Sequence, residues 1–387
     1  MSAARPPLLV DISQYAGWPA TSGIQRVLKH IAQDWPGAHF DARFGFLEGR
    51  SFITGPISEL GTLIAATFTN GVDETSLGRA LRERSDGAVA SDRVDVSFAA
   101  YLLPEPTLRS DNIAVAERLV SSGALPTAFV YYDSLPLTHP QLYPRSTVGH
   151  VEVDRYNRVL AKSHDIAFIS QRSREVFETR IARRELNNAV VLRPGADSLA
   201  PVDDATPTKI TFAVLGTVEP RKRHREILDA FERLWTKGYE YDLIVIGTAG
   251  WERADVIERL RDLSHSGRVV WLERAGDEDV RAAIASSTGV IFTPRVEGYG
   301  LPAVEALWLG RPVIVSADLP AFEELPAHGQ IRLEDVTAEA IAVAVRTLAE
   351  PEKNAEFRDA ARSLQLPTWR QFATGLEDWL ASSADRS

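Results

Sequence analysis

The sequence predicts an α/β protein with two parallel sheets covered by helices. Short apolar runs alternate with helical patterns along the chain, as in strand–helix–strand units. With 387 residues, the chain exceeds the size at which one hydrophobic core usually stops growing, which favours two domains. A polar stretch with prolines at 197–207 separates the two series of elements and is typical of an interdomain linker. We therefore expect domains at 1–200 and 207–365.

The predicted strands are short apolar runs, whereas the predicted helices show apolar residues three and four positions apart. In the first half, strands are expected at 8–12, 41–47, 94–98, 128–132, 166–170 and 190–193, with helices that include 23–35, 112–122 and 150–162. In the second half, strands at 210–215, 242–247, 269–272, 290–293 and 313–316 alternate with helices at 225–237, 253–264, 277–287 and 301–310.

Three further helical patterns close the chain, at 338–348, 350–364 and 369–382. The last of them has a strongly apolar face, formed by Trp369, Phe372, Leu376, Trp379 and Leu380. Because a free tail has no need of such a face, we expect this helix to dock on another part of the protein.

The composition limits the classes of function. The net charge of −10 argues against nonspecific binding of nucleic acid, so an anionic ligand must be held by a local basic site. The absence of cysteine excludes disulfides, thiolate metal sites and a cysteine nucleophile, and it fits the cytoplasm. The apolar run at 8–12 is too short for a signal peptide, and no later run has the length of a membrane span. We expect a cytoplasmic protein without a membrane-spanning segment.

Two glutamates, Glu297 and Glu305, flank a glycine turn at 298–300 and the start of a helix at Leu301. Pro302 falls in the first turn of that helix. The unpaired N–H groups and the positive dipole end at such a helix start suit a phosphate group. The carboxylates would then bind neutral sugar hydroxyl groups beside an anion site. Alternatively, Glu305 is a first-turn glutamate favoured by the helix dipole, and Glu297 is a solvated loop charge.

A second candidate segment, residues 216–224 (GTVEPRKRH), follows the first strand of the second half. In a doubly wound domain this loop lies at the carboxyl edge of the sheet, where ligands bind. Arg221 can bind phosphate oxygens through its planar guanidinium, and Lys222 can act as a point charge. By itself, the loop fits a phosphate site and a solvated turn equally well.

Together, these segments resemble the retaining glycosyltransferases of family 4, which have the two-Rossmann-domain fold called GT-B. The resemblance rests on 216–224 with the helix after it, on 243–247 (LIVIG) with Gly250 and Trp251, and on 297–307 (EGYGLPAVEAL) with 310–316 (GRPVIVS). It implies an N-terminal acceptor domain and a C-terminal nucleotide-sugar domain with a cleft between them. It also implies a C-terminal helix, within 366–387, that crosses back to the N-terminal domain.

The N-terminal half resembles the family more weakly, at 21–28 (TSGIQRVL), 130–136 (VYYDSLP) and 169–173 (ISQRS). Two positions depart from the family's pattern. Tyr132 stands where many members have a histidine near the donor sugar, and Thr217 stands where some have a phosphate-binding arginine. These departures concern the sugar contacts more than the class of reaction.

The family pattern implies a role for each matching residue. Arg221 and Lys222 would clamp the diphosphate, Glu297 would lie near the donor-sugar hydroxyls, and Glu305 would bind the nucleotide ribose. Asp133 would position or deprotonate the acceptor hydroxyl, or else simply cap a strand end. Further donor-binding residues would be Gly23, Gly216, Thr217, Gly298, Tyr299, Gly300 and Leu301, with Arg26 and Tyr132 on the acceptor side.

No metal and no organic cofactor is predicted. Asp277 and Asp279 have the spacing by which other sugar transferases hold a metal, but they stand at a predicted helix start, where capping is the better interpretation. The eight histidines lack metal-ligand spacing. The glycine patterns of dinucleotide-binding folds and P-loops are absent, as is a serine nucleophile elbow.

The resemblance implies a retaining, metal-independent transferase that moves a hexose or deoxyhexose from a nucleotide sugar to a glycan. The Glu-Pro-Arg-Lys motif at 219–222 resembles bacterial mannosyl- and rhamnosyltransferases of surface polysaccharide assembly, with GDP-mannose as the first expected donor. Rhamnosyl or glucosyl transfer is the alternative within the family. Outside it, a nucleotide-sugar epimerase or phosphorylase and a noncatalytic glycan-binding protein stay open.

The expected acceptor is a lipid-linked glycan, which implies peripheral contact with the inner membrane face. Basic and apolar residues at 172–184 could provide this contact. An amphipathic helix with a solvated face is the simpler interpretation of that stretch.

Overall fold

The computed structural model describes residues 4–70, 73–146, 151–201 and 209–384. The chain forms two compact units, one of Met1–Ser134, Gly149–Gly195 and Pro367–Ser387, and one of Leu135–Val148 and Ala196–Leu366. Each unit has its own sheet, which confirms the predicted class of two Rossmann-like α/β domains. The sequence assigned 135–148 and 196–200 to the N-terminal domain, whereas they group with the second unit. Most of the predicted linker, 202–207, and the predicted helix start at 150 lie outside the described residues.

The first unit is built on an eight-stranded sheet. Its strands are β1 (Pro7–Asp11), β2 (Asp41–Glu48), β3 (Ser51–Pro56), β4 (Gly87–Ala90), β5 (Ala100–Leu103), β6 (Thr127–Tyr131), β7 (Asp165–Phe168) and β8 (Asn188–Val191). The strand order is β4-β3-β2-β1-β5-β6-β7-β8. Only the β2–β3 and β3–β4 pairs are antiparallel among these strands.

Nine α-helices precede β9 in the described part of the chain, and all of them except the short α7 belong to the first unit. They are α1 (Ser13–Gly17), α2 (Gly23–Asp34), α3 (Ile57–Asn70), α4 (Glu74–Glu83), α5 (Val94–Ser97), α6 (Ser110–Ser122), α7 (Leu135–Thr138), α8 (Val151–Lys162) and α9 (Gln171–Val176). A π-helical segment, Phe177–Ala182, continues α9, so the stretch at 172–184 is helical as far as Ala182, in agreement with the prediction.

The second unit has a parallel six-stranded sheet. Its strands are β9 (Thr211–Leu215), β10 (Asp242–Ile246), β11 (Val269–Leu272), β12 (Gly289–Phe292), β13 (Val313–Ser316) and β14 (Gln330–Leu333), in the order β11-β10-β9-β12-β13-β14. The helices are α10 (His224–Thr236), α11 (Ala254–His265), α12 (Asp277–Ser286), α13 (Leu301–Trp308), α14 (Pro320–Glu323), α15 (Ala338–Ala349) and α16 (Pro351–Arg362).

Strand order reverses at one place in each sheet. In the first unit the reversal lies between β1 and β5, and in the second it lies between β9 and β12. In open α/β sheets, ligands bind beyond the carboxyl ends of the strands at such a reversal. A ligand site of the second unit is therefore expected at the loops after β9 and β12.

One predicted strand is wrong. Residues 94–97 form the short helix α5, and the strand of this region is β5, at Ala100–Leu103. β5 pairs with a parallel strand on each side in the middle of the sheet, and all four of its residues are buried, as in parallel sheets whose faces are covered by helices. The alternating sequence at 94–98 does not suit that position, and Val96 is 71% exposed. Strands β3, β4 and β14 were not predicted.

The last helix, α17 (Trp369–Ala384), packs against α2 of the first unit. Its aromatic residue Trp369 is buried and stacks on His30, with ring centroids 4.4 Å apart. The chain thus returns to its first unit after completing the second, as predicted for the GT-B fold. None of the described helices has the length and apolar character needed to cross a membrane.

Candidate active site

The two candidate segments meet at the strand reversal of the second unit. β9 and β12 are adjacent and parallel, with Ala213 opposite Val290. Their carboxyl-terminal loops therefore run side by side, and the Arg295 N–H donates to the Arg221 carbonyl oxygen at 2.7 Å. This pairing fixes the basic loop against the loop that carries Glu297.

A cluster of opposite charges lies between these loops. Arg221 Nη1 and Lys222 Nζ each donate to Glu297 Oε2 at 2.6 Å. The side chain of Glu297 is only 16% exposed, so it is not the solvated loop charge of the alternative interpretation. Burial alone would raise the pKa of Glu297, but the charges and hydrogen bonds of Lys222 and Arg221 lower it to about 2. Glu297 is therefore ionised throughout the neutral range.

A second carboxylate, Glu219, completes this cluster. Its Oε1 lies 2.5 Å from Arg221 Nε, and its side chain is 2% exposed. Burial raises the pKa of Glu219, and the nearby charge of Glu297 adds to this, against the opposing effect of Arg221 and Lys222. Glu219 belongs to the Glu-Pro-Arg-Lys motif at 219–222, but no role was predicted for it. The motif was the signal that could have identified it.

Lys222 is held in an apolar setting. Its ammonium lies 4.4 Å from the ring centroid of Phe292, at the end of β12, and the residue is 8% exposed. Burial lowers the pKa of Lys222, and the charge of Glu297 raises it in part. A cation removed from water in this way interacts strongly with any anion that reaches it.

The backbone of the basic loop has positive φ angles at two positions, Gly216 and Arg223. Gly216 has a φ of +126°, and a Cβ there would lie 3.2 Å from Lys222 Cε, so a side chain would disturb the lysine. Arg223 adopts a left-handed φ of +58°, which is uncommon for a residue with a side chain. Its guanidinium donates to the carbonyl oxygens of Thr293 and Pro294, at 3.2 and 3.1 Å. Sequence reasoning missed Arg223, which ties the two loops together.

The start of α13 has the predicted geometry. Gly300 precedes the helix with a φ of +113°, and Pro302 lies in the first turn. Glu305, however, lies beyond that first turn and is 3% exposed, so the first-turn alternative is wrong. Tyr299 and Leu301 are also buried beside this turn. The helix start thus lies in the same loop as Glu297.

Thr217 and Gly298 belong to the two facing loops of the second unit, whereas the other four candidates lie in the first unit. Gly23 begins α2, and the guanidinium of Arg26 lies 5.5 Å from the ring centroid of Phe68. The hydroxyl of Tyr132 donates to the Pro104 carbonyl oxygen at 2.8 Å, and Asp133 follows directly after it. Tyr132 and Asp133 directly follow the carboxyl end of β6, and Gly23 and Arg26 lie in the first turns of α2. They are separate in sequence and in unit from the charge cluster around Glu297.

The acidic pair Asp277 and Asp279 stands at the start of α12, where Asp279 accepts a hydrogen bond from the Gly276 N–H at 3.1 Å. This is the capping arrangement that the sequence favoured over a metal site. In the described part of the chain, no group of three or more acidic or histidine side chains is arranged to hold a metal ion. The independence from metal stays a prediction.

Residues 200–364 match the family described as Glycosyl transferases group 1. The chain is 29% identical to the serotype-specific mannosyltransferase WbdA of Escherichia coli, over 95% of this chain and 44% of that protein. It is also 23% identical to O-antigen chain mannosyltransferase B of Escherichia coli, over 63% of this chain and 62% of that protein. A third relative is the GDP-mannose-dependent alpha-(1-6)-phosphatidylinositol dimannoside mannosyltransferase of Mycobacterium tuberculosis, with 26% identity over 72% of this chain and 75% of that protein.

The chain thus spans less than half the length of the WbdA proteins that it matches. Among solved structures, HepE of Anabaena in complex with UDP and glucose is similar over 98% of this chain and all of that one, with a TM-score of 0.65 and 18% identity. This likeness supports the fold. The resemblance expected from the motifs is supported, since residues 200–364 match the group 1 glycosyltransferase family and the fold is of the GT-B type.

Proposed function

We propose that this chain transfers a mannosyl residue from GDP-mannose to a hydroxyl group of a glycan, with retention of the anomeric configuration and without a metal. The observation that carries the proposal is the contact of Arg221 and Lys222 with Glu297 at the strand reversal of the second unit. Three relatives that are named mannosyltransferases support the choice of sugar, and one of them is named as GDP-mannose-dependent.

The reaction requires stabilisation of a departing nucleotide diphosphate. Cleavage of the sugar–phosphate bond leaves additional negative charge on the diphosphate, and preorganised cations lower the barrier by meeting that charge. A guanidinium has five N–H donors and an ammonium has three, so Arg221 and Lys222 can serve Glu297 and phosphate oxygens together. The N–H groups at the start of α13, after Gly300, would add dipoles of the same sign.

The carboxylates would then act as binding groups. Glu297 is held ionised and oriented by two cations, which suits it to accept hydrogen bonds from donor-sugar hydroxyls. Glu305, in the next turns of the same segment, would bind the ribose hydroxyls. In the first unit, Asp133 would position or deprotonate the acceptor hydroxyl, near Tyr132 and Arg26. A lipid-linked surface glycan is the acceptor that we propose.

The first experiment is a transfer assay with GDP-mannose and a set of mannosylated acceptors. Lys222→Ala and Glu297→Ala should each lower turnover by about 10² or more, since each removes one preorganised group. Arg225→Ala is the matched control, because Arg225 is close in sequence but pairs with the exposed Asp255 at 2.8 Å. Circular dichroism should show that all three variants fold. Full turnover in both site variants would refute the site.

The same assay separates the alternatives. UDP-glucose and a rhamnosyl donor, supplied in parallel, would reveal a different sugar preference. Conversion of the nucleotide sugar in the absence of any acceptor would indicate an epimerase. Binding without turnover on every acceptor would favour a glycan-binding protein.

A further inference from the structure

The charge cluster of the second unit is electrically balanced before any donor arrives. Arg221 lies between two carboxylates, 2.5 Å from Glu219 through Nε and 2.6 Å from Glu297 through Nη1. Lys222 also lies 2.6 Å from Glu297. Two cations therefore face two carboxylates, and all four side chains are at most 17% exposed. With both carboxyl groups ionised, the cluster carries no net charge.

A neutral cluster is a poor site for a diphosphate. The incoming group is doubly anionic, and it would lie close to Glu219 and Glu297 as well as to the cations. Like charges in a poorly solvated site repel strongly, and the usual result is that one acid takes up a proton. One of the two carboxyl groups is therefore expected to become protonated.

The surroundings identify Glu219 as that group. Glu297 accepts hydrogen bonds from two cations, which keep it ionised. Glu219 forms one ion pair, with Arg221, and the charge and hydrogen bond of Arg221 offset the effect of burial on its pKa only in part. Burial first, and then the charge of Glu297, raise the pKa of Glu219 despite the opposing charges of Arg221 and Lys222.

Other charged groups around the loop are engaged elsewhere. Arg223 donates to the carbonyl oxygens of the loop after β12. Arg295 pairs with Glu226 on α10. The neighbouring His224 is buried, and burial together with the charge of Lys222 lowers its pKa to about 3, so it is neutral and supplies no charge. Burial lowers the pKa of Arg223, and the negative charge of Asp318 partly opposes this effect.

We propose that Glu219 takes up a proton from solvent when a nucleotide diphosphate sugar binds beside Arg221 and Lys222. The carboxylate becomes a carboxylic acid, and the cluster changes from neutral to one net positive charge. The proton returns to solvent when the nucleotide leaves. Glu219 is thus a positioning residue that acts through Arg221. The inference rests on the proposed function, because it assumes that this cluster binds the diphosphate.

The test is isothermal titration calorimetry of the full chain with GDP-mannose and with UDP-glucose. Titrations at one pH in buffers of different ionisation enthalpy give the number of protons taken up per ligand. Neither sugar nucleotide has a phosphate group that titrates near neutral pH, so uptake reports on the protein. For the wild type we expect uptake that approaches about one proton, and affinity that weakens by up to about tenfold per pH unit as the pH rises.

Glu219→Gln should abolish this uptake and flatten the pH dependence, because glutamine is neutral at every pH. Glu226→Gln is the matched control, since Glu226 lies on the adjoining helix and pairs with Arg295. It should take up protons like the wild type.

The calorimetry tests the proposed function, the proton uptake and the assignment to Glu219 separately. Binding of GDP-mannose to the wild type without proton uptake would overturn this inference and leave the proposed function standing. Uptake that persists in Glu219→Gln would overturn the assignment to Glu219. No binding of either ligand would overturn both the proposed function and the inference. The wild-type titrations decide the matter even if the variant fails to fold.

Discussion

At the scale of single residues, the first unit contains a buried acid that the reaction scheme does not use. Glu105 follows β5 at the strand reversal of the first sheet and is 1% exposed. Its Oε1 accepts a hydrogen bond from Gln25 Nε2 at 2.7 Å. Burial raises the pKa of Glu105 from 4.5 to about 7, although the hydrogen bond from Gln25 opposes this. Between about pH 4.5 and pH 7, the folded protein therefore holds a proton there that the unfolded chain has lost.

This difference predicts how stability depends on pH. An acid with a raised pKa favours folding while it is protonated, so the free energy of unfolding should fall as the pH rises from about 4.5 to about 7. Glu105→Gln should remove that fall and stabilise the protein at pH 8 by up to the order of 3 kcal/mol relative to the wild type. Urea denaturation at pH 5 and pH 8 measures both effects. Glu185→Gln, at an exposed carboxyl of the same unit, should change neither value.

Residue identities alone led to the prediction of Arg221, Lys222 and Glu297 as site residues, but they did not indicate that these side chains touch one another. Arg221, Lys222 and Glu297 were selected from local motifs and resemblance. Their contact at 2.6 Å joins positions 75 and 76 residues apart. Glu219 was passed over because an isolated glutamate in a loop has no signal of burial, and its burial comes from the facing loop.

At the scale of elements, α17 is attached to the first unit by a polar contact as well as an apolar one. The carboxylate of Glu377 is fully buried and accepts hydrogen bonds from the backbone N–H groups of Ala38, His39 and Phe40, at 2.9 to 3.0 Å. These N–H groups precede β2, so one side chain fixes the entry to a strand. The apolar spacing at 369–382 predicted docking but did not indicate this contact.

Glu377→Ala should lower the free energy of unfolding by about 3 kcal/mol, because it leaves three N–H groups, including that of the buried Phe40, without their acceptor. Chemical denaturation measures the loss. Asp378→Asn is the control, since the side chain of Asp378 is 59% exposed and its partner, His39, is half-exposed. A similar small effect in both variants would contradict a structural role for the buried carboxylate.

Elements with a consistent local pattern were predicted well. The helices at 224–236 and 277–286 and the strands at 269–272 and 313–316 lie within a residue of their predicted bounds. The short antiparallel strands β3 and β4 were missed, because their apolar pattern is weak and their pairing is with each other and with β2. The strand expected at 94–98 was wrong because local alternation cannot show which segment occupies the sheet centre.

At the scale of the whole molecule, the chain returns to its first unit through α17. Trp369 is 1% exposed and stacks on His30 of α2 with an interplanar angle of 4°. It also lies against Gly195, where a Cβ would collide with the Trp369 backbone and ring. Trp369 of α17 thus belongs to the core of the first unit, together with residues from the N-terminal part of the chain.

Trp369→Ala should therefore destabilise the first unit by about 3 to 5 kcal/mol, as expected for the loss of a large buried side chain. Differential scanning calorimetry of the full chain should show one transition lowered and the transition of the second unit retained. Arg370→Ala, at the exposed neighbouring position, should leave both transitions in place. A uniform shift of all unfolding would indicate that the units unfold together.

Local sequence patterns were enough to predict two α/β cores, the position of most of their elements, and the family that the motifs resemble. Periodicity, glycine and proline act locally, so they can be read from neighbouring residues. The three-dimensional structure was needed to show that Glu297 meets Arg221 and Lys222, that Glu219 closes the cluster, and that α17 completes the first unit. These features depend on the order of strands in the sheets, and that order is set by the packing of the whole chain rather than by any local segment.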